Sequence, residues 1–184
     1  LEKNKNSVVI VDEAYIDFGG KSMVEYIETY PNLLVIQTFS KSRSLAGLRV
    51  GFAIGNSQLI EGLNRVKNSF NSYTIDKLAL IGAAEAIKDK NYFDVTTKKI
   101  IRTREDTVKK LENLNFEILD SKANFIFVKH KEFSGKYLYE KLKENGVLVR
   151  HFNKERIENY LRITIGTDEE MSLLITNLKK ILKY

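Results

Sequence analysis

The sequence predicts an α/β fold: the end of a large domain built on a parallel sheet, then linking helices, then a small α+β domain. Three observations carry this. Residues 8–11, Val-Val-Ile-Val, form a continuous β-branched run, the pattern of a strand buried on both faces. Residues 33–37 and 50–54 read as further strands, and no hairpin turn separates the first two runs. The last third of the chain interleaves short apolar alternations with helical stripes, as a compact α+β module does.

The elements follow in order. Residues 22–30 read as a short helix closed by Pro31-Asn32. Strand, helix, strand implies a right-handed crossover and parallel pairing, although the gap before Val50 is too brief for a crossover helix. Gly55-Asn56-Ser57 caps a helix with Leu59, Leu63, Val66 and Phe70 at helical spacing, and Asn71-Ser72-Tyr73-Thr74 breaks it. Helical stretches follow at about residues 75–89 and 91–114, the second with Ile101, Val108 and Leu111. Strands are expected at 116–119, 124–129, 147–150 and 161–165. A helix at 135–144 is capped by Ser134 and ended by Asn145-Gly146. Thr167-Asp168-Glu169-Glu170 is a capping box ahead of a stripe of Met171, Leu174, Ile175, Leu178 and Ile181. The expected division is 1–72 for the end of the large domain, 73–115 for linking helices and 116–184 for the small domain.

Composition narrows the function. With 184 residues, 43% hydrophobic and 29% charged, the chain falls in the soluble globular class. It has no cysteine, hence no disulfide, thiolate metal site or thiol nucleophile, and only two histidines, so no metal site is expected. No apolar run reaches the length of a membrane span. The net charge of +6 is spread over helical segments and mixed with Asp and Glu, the pattern of solvated faces rather than a nucleic-acid footprint. His130 and His151 read as surface residues. The first residue is Leu, not Met, and the reading is that of a piece of a longer chain.

One stretch carries chemistry: Thr38-Phe39-Ser40-Lys41, continuing through Leu45-Ala46-Gly47-Leu48-Arg49-Val50-Gly51. A lysine just past a strand, hydroxyls beside it and an arginine eight positions on can hold a phosphorylated aldehyde. The amine condenses with the aldehyde, and the hydroxyls and guanidinium neutralise the phosphate. Asp12 ends the first strand, and ligands of such sheets sit at the carboxyl ends of strands. Taken alone, Lys41 reads as a solvated lysine and Asp12 as a turn residue; the set of Asp12, Lys41 and Arg49 reverses that. An ordinary lysine amine titrates near ~10.4. Arg43 or Arg49, together with partial burial, is expected to depress Lys41. Arg162, between Leu161 and Ile163, faces away from both and must meet an anion or solvent.

These pieces, with Asp12-Glu13-Ala14-Tyr15, Ala123-Asn124-Phe125 and Leu161-Arg162-Ile163-Thr164-Ile165-Gly166-Thr167, resemble the C-terminal part of a fold-type I pyridoxal-phosphate-dependent aminotransferase. Within that group the chain looks most like the histidinol-phosphate aminotransferases. The resemblance implies pyridoxal 5'-phosphate as cofactor, tethered to Lys41, which also moves the substrate proton. It implies Asp12 at the pyridine nitrogen, Tyr15 at the ring oxygen, and Ser40 ahead of Thr38, with Arg49, at the phosphate. Arg162, Arg150 and Asn124 are the implied substrate contacts; Glu13 receives no role. The implied reaction is amino transfer between L-histidinol phosphate and 2-oxoglutarate by a cytoplasmic homodimer, this chain being about half of the enzyme. Other readings are a threonine-phosphate decarboxylase, another aminotransferase, or a cofactor-free fragment without activity.

Overall fold

β1 (Val9–Asp12) and β2 (Leu33–Thr38) pair in parallel, with Val9 opposite Leu33 and Asp12 opposite Ile36. The computed structural model describes all residues, 1–184, and divides into two units, Leu1–Thr96 and Thr97–Tyr184. In the first unit β3 (Gly51–Gly55) runs antiparallel to β2, with Thr38 opposite Gly51 and Leu34 opposite Gly55. The sheet is therefore mixed, not wholly parallel as expected. Only a single 3-10 turn, Ala46–Leu48, lies between β2 and β3. Without a crossover helix the chain can only double back.

Burial corrects a second expectation. The strand order is β1-β2-β3, so β2 is central and its Leu33, Leu34 and Val35 are buried. β1 lies at the edge, and Val8 and Ile10 are 50% and 58% exposed. The helix expected over 22–30 contracts to a 3-10 turn, Met23–Tyr26, with Ser22 accepting the Val24 N–H. α1 (Ser57–Phe70) starts where the Asn56 side chain accepts the Gln58 N–H. α2 (Lys77–Lys88) is capped by Asp76, which accepts the Ala79 N–H at 2.9 Å. Ala79 and Ala83 of α2 pack with Phe39 and Val50, which bracket the Lys41 loop. Phe39 donates its N–H to Val50 and accepts that of Leu45, at 3.1 and 2.9 Å. The loop is thus closed at its base by main-chain bonds and seated on α2.

α3 (Lys90–Glu112) leads into the second unit. There β4 (Phe116–Leu119), β5 (Phe125–His130), β6 (Arg150–His151) and β7 (Leu161–Thr164) form an antiparallel sheet in the order β4-β5-β7-β6. The strand expected over 147–150 is reduced to two residues, because the Val147 N–H turns back to the Leu142 carbonyl at 2.9 Å. α4 (Gly135–Glu144) and α5 (Asp168–Leu182) supply Leu138, Leu142, Leu174 and Leu178 to a core with Ile126, Val128, Leu161 and Ile163. Each such side chain contributes about 1.5–3 kcal/mol on burial. The capping box forms as read: Thr167 accepts the Glu170 N–H, and Glu170 accepts that of Thr167 at 2.7 Å. Arg104 is buried and donates to the Ala123 carbonyl at 2.7 Å, tying α3 to the start of β5. No helix is long and apolar enough to cross a membrane.

His130 is buried, not superficial. The period of two along β5 turns Ile126, Val128 and His130 inward together. Its Nδ1 accepts the N–H groups of Glu132 and Phe133 at 3.0 and 3.2 Å, and Phe116 and Phe133 lie edge-on to its ring. His151 is half-buried, with Nε2 2.7 Å from the Glu158 carbonyl. Burial holds the His130 pKa below its ordinary value, with Glu132 and the Leu114 carbonyl opposing it in part. The unfolded chain therefore takes this proton more readily than the folded one. Stability contributed by neutral His130 is complete above the ordinary histidine range and is lost as pH falls through the lower folded value. Urea unfolding between about pH 7.5 and pH 5 is expected to show falling stability, and His130→Gln should flatten that slope.

Candidate functional site

The register of the first sheet brings six of the predicted residues to one rim. Asp12 is the last residue of β1 and lies opposite Ile36, two residues before the end of β2. Thr38 ends β2, and Ser40 and Lys41 follow it directly. Because β3 is antiparallel, its first residue Gly51 pairs with Thr38, and Arg49 stands just before it at the same edge. Tyr15, three residues beyond Asp12, has its ring under Lys41: the amine lies 5.3 Å from the ring centroid. One carboxylate oxygen of Asp12 accepts the Ala14 N–H at 3.0 Å, which fixes the turn after β1 and leaves the other oxygen for a partner.

The hydroxyls are ordered relative to one another. Thr38 Oγ1 donates to Ser40 Oγ at 3.0 Å and accepts the Ser40 N–H at 3.1 Å. Thr38 is thereby used within the turn, with the Val50 carbonyl as a second acceptor at 3.4 Å. Arg49 has φ 55°, in the left-handed region, and its guanidinium donates to the Ala46 carbonyl at 3.0 Å. A left-handed arginine costs roughly 1 kcal/mol.

Two expectations about the lysine's surroundings are corrected. Lys41 is exposed rather than partly buried. Arg43 is directed elsewhere: its guanidinium lies 3.6 Å from the Phe93 ring centroid and donates to the Ala86 carbonyl. The side chains of residues 41 and 43 leave the turn in different directions, and Arg43 finds an aromatic face and an acceptor on the helical side.

Glu13 was missed. Its carboxylate is buried and accepts three hydrogen bonds: from Ser22 Oγ at 2.8 Å, Met23 N–H at 2.6 Å and Gln37 Nε2 at 2.9 Å. It ties the end of β1 to β2 and to the 3-10 turn. The signal was available in the pleat: successive residues at a strand end face opposite sides, so an outward Asp12 implies an inward Glu13.

In the second unit Arg150 and Arg162 are direct cross-strand partners, so their guanidinium groups share a face. Leu161 and Ile163 are buried and Arg162 is not, as alternation requires. The carbon centres of Arg150 and Arg162 lie 5.5 and 6.0 Å from the Phe152 ring, and Arg162 is also 5.4 Å from Phe125. Lys129 on the same sheet is neutralised by Glu117 at 2.8 Å, whereas neither arginine has a carboxylate in ion-pair range. Two like charges directly opposite each other repel, and an anion relieves them. Asn124 immediately precedes β5, and its main-chain carbonyl accepts the Ile165 N–H at 2.9 Å. Tyr73 is 94% exposed.

The adjacent acids give contrasting expectations. Glu13→Ala strands three donors in a buried place and should cost about 2–4 kcal/mol in urea unfolding. Asp12→Ala removes only an exposed turn bond and should cost less than about 1 kcal/mol.

The family model described as aminotransferase class I and II matches residues 1–178. Histidinol-phosphate aminotransferase of Clostridium beijerinckii is 65% identical over 182 residues, covering 99% of this chain and 51% of that protein. The crystal structure of the histidinol-phosphate aminotransferase from Clostridium acetobutylicum superposes with a TM-score of 0.88 at 25% identity, over 97% of this chain and 55% of that one. That of the Sinorhizobium meliloti enzyme, in complex with pyridoxal-5'-phosphate, shares the fold with a TM-score of 0.83 at 22% identity, over 97% of this chain and 50% of that one. The chain thus spans about half the length of the curated relatives it matches. With a family model running through almost all of both units, the chain belongs to the class I and II aminotransferases.

Proposed function

We propose that this chain is the second half of a pyridoxal-phosphate enzyme that transfers an amino group between L-histidinol phosphate and 2-oxoglutarate, in histidine biosynthesis. The observation that carries the reading is the shared rim: the strand register brings the end of β1, the end of β2 and the start of β3 to one edge, where Asp12, Ser40, Lys41 and Arg49 stand at or next to the strand ends and Tyr15 meets Lys41. The high identity to a protein named for that reaction supports the substrate.

The donor set fits the cofactor. An amine with no carboxylate partner, a carboxylate with an oxygen to spare and a pair of hydroxyls stand together at one edge. When bound, pyridoxal phosphate supplies an aldehyde and a ring that accepts electron density from the substrate carbon. Lys41 would hold the aldehyde through its amine, and the same amine would be placed to move the proton at the substrate carbon. Asp12 offers its spare oxygen to the ring nitrogen and holds a proton there. Tyr15 donates its hydroxyl to the ring oxygen and, with its π face, limits the directions open to the lysine amine. Ser40 and Arg49 bind the phosphate, Arg49 through its planar fork, with Thr38 orienting Ser40.

Arg162, with Arg150 beside it, takes the anionic end of the substrates, phosphate or carboxylate, and Asn124 orients them. The division at residues 72 and 115 into large domain, linking helices and small domain belongs to the same proposal, as do a homodimer and a cytoplasmic location.

Supplying the full-length enzyme with each substrate tests the reaction. Glutamate should form from 2-oxoglutarate and histidinol phosphate; carbon dioxide release from threonine phosphate in its place would overturn the assignment in favour of a decarboxylase. Lys41→Ala should lower the transfer rate by about 10³-fold or more, because one group supplies both nucleophile and proton carrier. Arg162→Lys should raise KM for 2-oxoglutarate by roughly 10- to 100-fold with a smaller change in kcat, as loss of a bidentate charge-assisted contact does.

A further inference from the structure

Lys41 differs from every residue around it in one respect. Ser40 is held by Thr38, its N–H on the Thr38 hydroxyl at 3.1 Å. Ser42 is buried, and its hydroxyl donates to the Asp17 carboxylate. Arg43 is held by the Ala86 carbonyl and the Phe93 ring. Ser44 sits at φ 57°, a left-handed conformation that a serine does not adopt without support, and its N–H closes on the Lys41 carbonyl at 3.1 Å. The Lys41 side chain is exposed, with its amine 5.3 Å from the Tyr15 ring centroid.

A flexible four-carbon lysine sweeps a large volume unless its backbone is fixed. Fixing it converts an encounter between amine and aldehyde into a positioned reaction. The anchors differ in what they fix the turn to. Arg43 fixes it to α2 and α3. Asp17 belongs to the segment that carries Asp12 and Tyr15: it lies two residues beyond Tyr15, in the 3-10 turn Ile16–Phe18, whose Phe18 is fully buried. The Ser42–Asp17 bond is therefore the side-chain link that sets the lysine backbone against the acid and the ring.

We propose that Asp17 is a positioning residue for Lys41, acting through the Ser42 hydroxyl. It touches neither cofactor nor substrate; it holds the residue next to the lysine so that the amine stands over Tyr15. The proposal rests on Lys41 capturing pyridoxal phosphate, as argued above.

The test measures binding, not turnover. In the full-length enzyme, equilibrium dialysis gives the affinity for pyridoxal phosphate, and borohydride trapping followed by mass gives the rate of covalent attachment. Asp17→Ala and Ser42→Ala should each weaken affinity and slow attachment about tenfold, and the double variant should do no worse than either, because all three remove one charge-assisted bond. The same changes placed on Lys41→Ala, where no covalent attachment is available, should alter affinity less than about twofold. Equal losses in both backgrounds would mean that Asp17 merely maintains the rim, and would overturn the proposal. Unchanged affinity and unchanged attachment rate for Asp17→Ala and Ser42→Ala in the enzyme that keeps Lys41 would overturn it too. Failure of the parent enzyme to bind pyridoxal phosphate at all would remove the cofactor reading itself, and the positioning role with it.

Discussion

Main-chain pairing within the first sheet is the constraint on which the site depends. β1 and β2 run in parallel and β3 returns beside β2, so the end of β1, the end of β2 and the start of β3 meet at one edge. The ladder sets Asp12 and the two ends of the loop that carries Lys41 and Arg49 at one edge. The side chains then refine what the ladder has placed. Glu13 locks the end of β1 with three accepted bonds, and Phe39 and Val50 seat the base of the Lys41 loop on Ala79 and Ala83 of α2. The loop itself carries two left-handed non-glycine residues, Ser44 and Arg49. Conformations of that kind persist where surrounding structure over-determines them.

The second unit solves a different problem. It keeps two guanidinium groups side by side on a small sheet without a neutralising acid. Alternation makes this tolerable: Leu161 and Ile163 anchor β7 in the core, and Arg162 lies on the other face against Phe125 and Phe152. Aromatic faces accept a cation without satisfying its demand for a counter-charge.

Much of this was legible in the residues. The helix caps at Asn56, Ser134 and Thr167, the strand end at Asp12, and the inward and outward faces of β7 all follow from local pattern, which acts over a few residues. What was not legible depends on partners distant in sequence. The brief gap before Val50 already spoke against a crossover helix; the strand that β3 pairs with is what the structure adds. Arg43 was read as a neighbour of Lys41 because it is near in sequence, whereas Phe93 and Ala86 claim it in space. Glu13 and His130 are instructive in another way. Both follow from the period of two along a strand, although a titratable side chain such as His130 is ordinarily placed outside.

Reduction of the pyridoxal-phosphate-loaded enzyme with borohydride, followed by peptide mapping, tests the central claim most directly. A single phosphopyridoxyl group should appear on the peptide containing Lys41, and on none of the many lysines of the helix faces. A label on another lysine, or no label on a folded protein, would contradict it.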